Sequence, residues 1–161
     1  MDALANGQRS KCLTCVDDFT KECLTITAAF GISSVQVTRI LDSIALLRGY
    51  PGTIRTDQGP AFTCRALDKG ALKQGVELRL IQPGKPMQHG FIEIFNRRFR
   101  DKCLNEKGFS DILHARKVIN DWRQDYNESR SNSSLKYLTP AEFATDWRNR
   151  KYEAIPTDIA N

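Results

Sequence analysis

The sequence predicts an α/β domain built on a mixed sheet, and three observations carry that expectation. Two strand-like runs, 11–16 and 22–29, flank the turn-forming pair Asp17-Asp18 and read as an antiparallel hairpin. Two later short runs, 53–56 and 76–81, are each reached through a helical stretch. The order strand, strand, helix, strand, helix, strand, helix therefore sets a hairpin beside helix-linked strands, which makes a mixed sheet.

Each element has a local reason. In 22–29, Cys23, Thr25 and Thr27 alternate with Leu24, Ile26 and Ala28, the period of a strand. Ser33 with Gln36 forms a capping box, and Val37, Ile40, Leu41, Ile44 and Leu47 recur at helical spacing as one stripe. Gly49 and Pro51 close that helix. The strand 53–56 leaves Asp57 at its C-terminal end, where ligands gather in open α/β sheets. Residues 64–74 read as a helix with Ala66, Leu67, Ala71 and Leu72 inward. The segment 82–90 carries two prolines and two glycines and reads as a loop of the kind found beside functional sites. A helix follows from Phe91 to about Leu104, with Phe91, Phe95, Phe99 and Cys103 at four-residue steps facing the core. Two more helices fall near 111–126 and 140–150, with Trp122 and Trp147 as packing anchors. Residues 1–150 read as one core and 151–161 as a C-terminal tail that frays.

The 161 residues suffice for one domain with a real core, and 40% hydrophobic with 27% charged residues is ordinary for a globular protein. The net charge of +5 and a pI near 9.0 favour a polyanionic partner such as nucleic acid. No apolar run approaches the ~18 residues of a transmembrane helix, and the start has no signal-peptide pattern. A cytoplasmic protein is expected, with Cys12, Cys15, Cys23, Cys64 and Cys103 reduced. Cys12-Leu13-Thr14-Cys15 has zinc-like spacing but no second ligand pair, and in a strand its two thiols face opposite sides. Small side chains packed in the fold are the better reading.

The chemistry centres on Asp57, in Thr56-Asp57-Gln58-Gly59-Pro60, and Glu93, with 35 residues, 58–92, between them. Carboxylates fixed on separate elements are what a magnesium-dependent phosphoryl-transfer site needs. Glu93 shares its helix face with Asn96, Arg97 and Arg100, flanked by Arg98 and Lys102, so the acid projects from a basic surface. Taken singly, Asp57 reads equally as turn chemistry and the basic face as an ordinary solvated one. Asp17 and Asp18 read as turn and cap residues, and His114 receives no role.

These motifs together resemble the catalytic core of insertion-sequence transposases, the second-frame (OrfB) product related to retroviral integrases. The carrying residues are 16–24, Ile54 to Pro60, the segment from Gln82 to Asn96, 101–105, Asp125-Tyr126-Asn127 and Ser133 to Phe143. The resemblance implies a ribonuclease H-like fold and an Asp, Asp, Glu triad binding two magnesium (or manganese) ions, with Asp57 and Glu93 as its second and third members. It further implies DNA contacts from Lys85, Arg97, Arg98 and Arg100, with His89 and Asn96 on the same DNA-facing segment. Gln58, His89 and Arg97 differ from the residues usual in the family at those positions. The family's first catalytic Asp corresponds to a position just upstream of Asp2, on a strand central to the sheet. The chain is therefore expected to lack that strand largely, to be inactive alone, and to distort its sheet, draw Met1 to Arg9 into the gap or lean on another chain. The expected function is metal-dependent DNA cleavage and transfer in transposition, on transposon-end and target DNA at the nucleoid, with a homo-oligomer or an intact transposase as protein partner and no membrane. The competing expectation is a non-catalytic DNA-binding fragment that modulates an intact transposase.

Overall fold

The computed structural model describes residues 2–3, 7–56, 59, 62–63, 65–81 and 86–153, with the backbone alone at 2–3, 86–89 and 151–153. Strands β2 (Arg9–Val16) and β3 (Cys23–Ala29) form the expected antiparallel hairpin, in register from Lys11 opposite Ala29 to Val16 opposite Cys23, with an irregularity between Cys15 and Val16. The turn between them is fixed by Asp17. Its Oδ1 accepts from the Phe19 and Thr20 amides at 2.8 and 3.2 Å, and Lys21 takes a left-handed φ of 61° to bring the chain back. Asp17 thus performs the turn duty expected of it.

Strand β1 (Asp2–Ala3) pairs antiparallel with β2, placing Asp2 opposite Ser10. Strands β4 (Thr53–Thr56) and β5 (Glu77–Leu80) pair in parallel, in register from Thr53 opposite Glu77 to Thr56 opposite Leu80. The mixture of antiparallel and parallel pairing is as expected, but among the described residues the three-stranded and two-stranded sheets share no strand. Among the described residues the first two expected outcomes both appear: the sheet is divided, and Asp2–Ala3 forms a short strand beside β2.

Helix α1 (Ser34–Arg48) starts at the expected capping box: Ser33 Oγ accepts from the Gln36 amide and Gln36 Oε1 accepts from the Ser33 amide. It ends at Gly49, whose φ of 78° suits glycine. Its apolar stripe is buried only in part. Val37 is buried and Ile40, Leu41 and Ile44 are half-buried, but Leu47 is 91% exposed. The last turn is held instead by Arg48, which bridges Glu22 at 2.8 Å and Asp17 at 3.1 Å, while Leu46 and Leu47 stay exposed. Helix α2 (Arg65–Lys73) likewise buries Leu67 and half-buries Ala71, while Ala66 and Leu72 face outward, contrary to expectation. It meets α1 at Gly70, where an added Cβ would lie 3.5 Å from the Thr38 methyl, so the helix turns that narrow side inward.

The main core lies between the hairpin and two helices, α3 (Pro86–Phe99) and α4 (Ile112–Ser129). Phe95, Phe99 and Cys103 are buried as their spacing predicts, and Phe91 packs against the same cluster half-buried. They meet Ala115, Ile119, Trp122 and Tyr126 of α4. Phe95 stands edge-on to both Trp122 and Tyr126, at 5.8 and 5.0 Å between ring centroids. Trp122 is therefore the anchor expected. Trp147, on α5 (Pro140–Glu153), is 49% exposed and packs against Phe19 of the hairpin turn, at 4.8 Å.

Helix α4 also supplies what an exposed strand edge lacks. Asn127 accepts from the Cys23 amide at 2.8 Å and donates to the Cys23 carbonyl at 2.9 Å, reproducing with one side chain the pairing of a neighbouring strand. Arg123 adds a bond to the same carbonyl, and Arg116 donates to the Ala28 carbonyl. Among the described residues no helix is long and apolar enough to cross a membrane.

Candidate active site

Two elements carry the candidate residues: β4, whose end Asp57 follows in sequence, and α3, which bears Glu93. Strands β4 and β5 point the same way, so their C-terminal ends share one edge, extended by a bond from the Ile81 amide to the Thr56 carbonyl at 2.7 Å. Asp57 follows Thr56 directly; its own placement, with that of Gln58, lies outside the described residues. So does Lys85, and so does the His89 side chain, although the His89 backbone belongs to α3. Among the described residues Thr56 Oγ1, buried beside this edge, has no hydrogen-bond partner.

Helix α3 is broken at Gly90, whose φ of 50° and ψ of −129° belong to no helix. The glycine separates the Pro86 end from a second helical segment that begins at Phe91. Glu93 sits in the first turn of that segment and is exposed. Burying Phe91, Ile92 and Phe95 on one side fixes which side is left for Glu93, Asn96, Arg97 and Arg100, all of them exposed as their spacing requires. Arg98 is exposed as well, and among the described residues no carboxylate pairs with Arg97, Arg98 or Arg100. Three guanidinium groups thus stand on one short stretch, a geometry suited to phosphate oxygens.

Asn96 has a partner of its own. Thr14 Oγ1, in the middle of β2, donates to Asn96 Oδ1 at 2.8 Å. The side chain expected to reach DNA is engaged with the sheet. Beyond Phe99 the helix widens into a π-helical turn, Arg100–Leu104, closed by the Asn105 amide on the Arg100 carbonyl at 2.8 Å. The extra residue keeps Cys103 in the core while Arg100 and Lys102 remain outside.

The remaining candidates have structural roles. Among the described residues Cys12, Cys15, Cys23 and Cys103 form no disulfide; Cys64 lies outside those residues. Burial, with a smaller push from Asp17, raises the Cys15 thiol to about 11, and burial raises Cys23 to about 12 and Cys103 to about 11. Burial likewise lifts the Tyr126 phenol to about 12, against the opposing pull of Arg98 and Arg130, which places both cations near it. Protonated thiols of this kind are poor metal ligands and nucleophiles. His114, to which the sequence assigned nothing, accepts from the Ser110 amide at 3.2 Å through Nδ1 and stands 6.1 Å from Phe109, sealing the start of α4. Asn127 also escaped notice as a strand clamp, because its partner lies 104 positions away.

A divalent cation fits the chemistry of the donor set. Asp57 and Glu93 offer hard oxygen ligands, and the thiols are unsuited. Among the described residues no three His, Cys, Asp or Glu side chains converge.

Comparison with known proteins decides the family. The integrase core domain profile matches residues 1–86, more than half of the chain, and a second integrase core domain profile matches residues 74–140. The chain belongs to the integrase core domain family. It is 60% identical over 148 residues to the 31.7 kDa protein of insertion element IS407 from Burkholderia multivorans, covering 92% of this chain and 53% of that protein. This integrase core thus spans about half the length of the curated relatives it matches. In three dimensions it is similar to the catalytic core domain of BIV integrase, with a TM-score of 0.70 at 15% identity, covering 94% of this chain and 95% of the other. It is also similar to the HTLV-2 integrase catalytic core in complex with magnesium, with a TM-score of 0.59 at 17% identity, covering 89% and 90% of the two chains. These likenesses establish the ribonuclease H-like fold expected from the sequence.

Proposed function

We propose that this chain is the core of an insertion-sequence transposase that cuts and joins DNA strands at a divalent-metal site held by Asp57 and Glu93. The observation that carries the proposal is Glu93 on an exposed, arginine-bearing helix of an integrase core fold, with Asp57 next in sequence to the end of β4. Magnesium or manganese, when bound, supplies Lewis-acid activation of the attacking oxygen and stabilises the leaving one. The chain's own residues do the rest. Arg97, Arg98 and Arg100, with Lys85 and His89, bind phosphate oxygens and hold the strand in line, contacts that position DNA and carry no sequence information directly. Asp57 and Glu93 offer carboxylate oxygens, the hard ligands such a cation takes. The protein would act on transposon-end and target DNA in the bacterial cytoplasm at the nucleoid, in association with further copies or with an intact transposase.

The test is a nicking and strand-transfer assay on insertion-element end DNA with magnesium or manganese. Metal-dependent products lost in Asp57→Ala and in Glu93→Ala are the expected result. A second reading, a DNA-binding fragment that modulates an intact transposase, draws support from the exposed guanidinium groups of Arg97, Arg98 and Arg100, which suit phosphate without any metal. DNA binding retained with no metal-dependent product would favour it.

A further inference from the structure

We infer that Asn96 is a positioning residue: the hydrogen bond from Thr14 sets the rotation of α3 and with it the Glu93 carboxylate. The inference rests on the proposal that Glu93 is a metal ligand. Glu93 and Asn96 are three residues apart in continuous helix and so share a face. The Gly90 break lies just before Glu93, so the turn that carries the acid gains little orientation from the helical backbone ahead of it. Phe95 and Phe99 hold the inner side by apolar packing, which is non-directional and tolerates small rotations. The Thr14–Asn96 bond is directional and acts on the outer side, between residues 82 apart in sequence.

Its anchor is firm. Thr14 lies mid-strand, opposite Ile26, and a β-branched side chain has few rotamers. The lever is long: a side chain reaching about 5–6 Å from the helix axis moves about 1 Å for every 10° of rotation. Magnesium requires ligand oxygens near 2.0–2.1 Å, and sites tolerate errors of about 0.5 Å. A tether on the same face, one turn on, is placed to hold that tolerance. It also accounts for an asparagine amid arginines: the position calls for a neutral acceptor facing a hydroxyl.

The experiment compares manganese binding, read by electron paramagnetic resonance on the full chain, with binding of a short DNA duplex. The variants are Thr14→Val, Thr14→Ser and Glu93→Gln. Thr14→Val removes the donor at nearly constant volume, away from the arginines. It is expected to weaken manganese binding about three- to tenfold, the range one hydrogen bond supplies, with DNA affinity unchanged and Thr14→Ser restoring the wild-type value. Amide exchange across residues 91–96 is expected to quicken in Thr14→Val alone. If Glu93→Gln weakens manganese binding while Thr14→Val matches wild type, the positioning role is overturned and the metal site stands. If Glu93→Gln changes nothing, the metal assignment fails, and the inference with it. Thr14→Val weakening DNA binding as much as metal binding would also overturn the inference, because it would mark a general loss of structure.

Discussion

Asn127 shows what a single side chain contributes and why reading order hides it. It pairs with both backbone groups of Cys23, so Asn127→Ala would strand the Cys23 amide, while Arg123 still reaches the carbonyl. A loss of about 1–3 kcal/mol is expected in urea unfolding, with Asn127→Asp, which keeps the acceptor, losing less. The thiols make a second prediction. The folded chain holds Cys15, Cys23 and Cys103 protonated to about 11, 12 and 11, above the ordinary 9.0. Between about pH 9 and pH 12 the unfolded chain therefore releases protons that the folded one keeps. The stabilisation is complete below pH 9 and is lost as pH rises through that window. Urea midpoints should fall steadily above pH 9, and Cys23→Ala should flatten the decline. At this scale the sequence showed acid and base identities well. Glu93 and the arginines were legible because helical spacing alone puts them on one exposed face. Asn96 was not, since its partner belongs to a strand far away in the chain.

Helix α3 is where element-level expectation and structure agree in type and differ in detail. The four-step spacing of Phe91, Phe95, Phe99 and Cys103 identified the buried face, whereas Pro86 to His89, expected in a loop, are helical ahead of the break at Gly90. The π-helical turn at Arg100–Leu104 was invisible, because one extra residue in a ladder leaves the apolar periodicity almost intact. The conformation of Gly90 makes it hard to replace. Open space surrounds it, so Gly90→Ala would suffer from backbone strain alone, by about 1–3 kcal/mol in unfolding free energy. The same substitution should disturb Glu93 three residues on, and manganese binding should fall with stability. Helices α1 and α2 were legible in extent and capping but not in depth. Leu47 and Leu72 fit the apolar stripes yet stay exposed, because a stripe read from spacing does not say how much surface there is to cover it.

At the scale of the whole molecule the fold divides into unequal parts. The hairpin, α3 and α4 share one aromatic-rich core, whereas β4, β5, α1 and α2 bury chiefly Val37, Leu67, Val76 and Ile81. Native-state amide exchange is expected to run faster in Thr53–Thr56 and Glu77–Leu80 than in Cys23–Ala29, since local opening follows buried contact. Uniform protection across both sheets would contradict this division. The α/β class and the strand pairing were legible because each strand carries its own pattern. The separation of the sheets among the described residues was legible only through the family resemblance, which put the missing central strand between them, because the pattern of a strand does not say which neighbour completes it. One candidate carboxylate stands on the well-packed helix α3, and the other follows β4 in sequence. The proposed site requires Asp57 and Glu93 to hold one cation between them. Ferrous iron in place of magnesium, with ascorbate and peroxide, cuts backbone close to where it binds. Cuts clustered at residues near 57 and near 93, suppressed by added magnesium and lost in Glu93→Gln, are the expected result. Cuts at only one of the two positions, or cuts that persist in Glu93→Gln, would contradict the shared site.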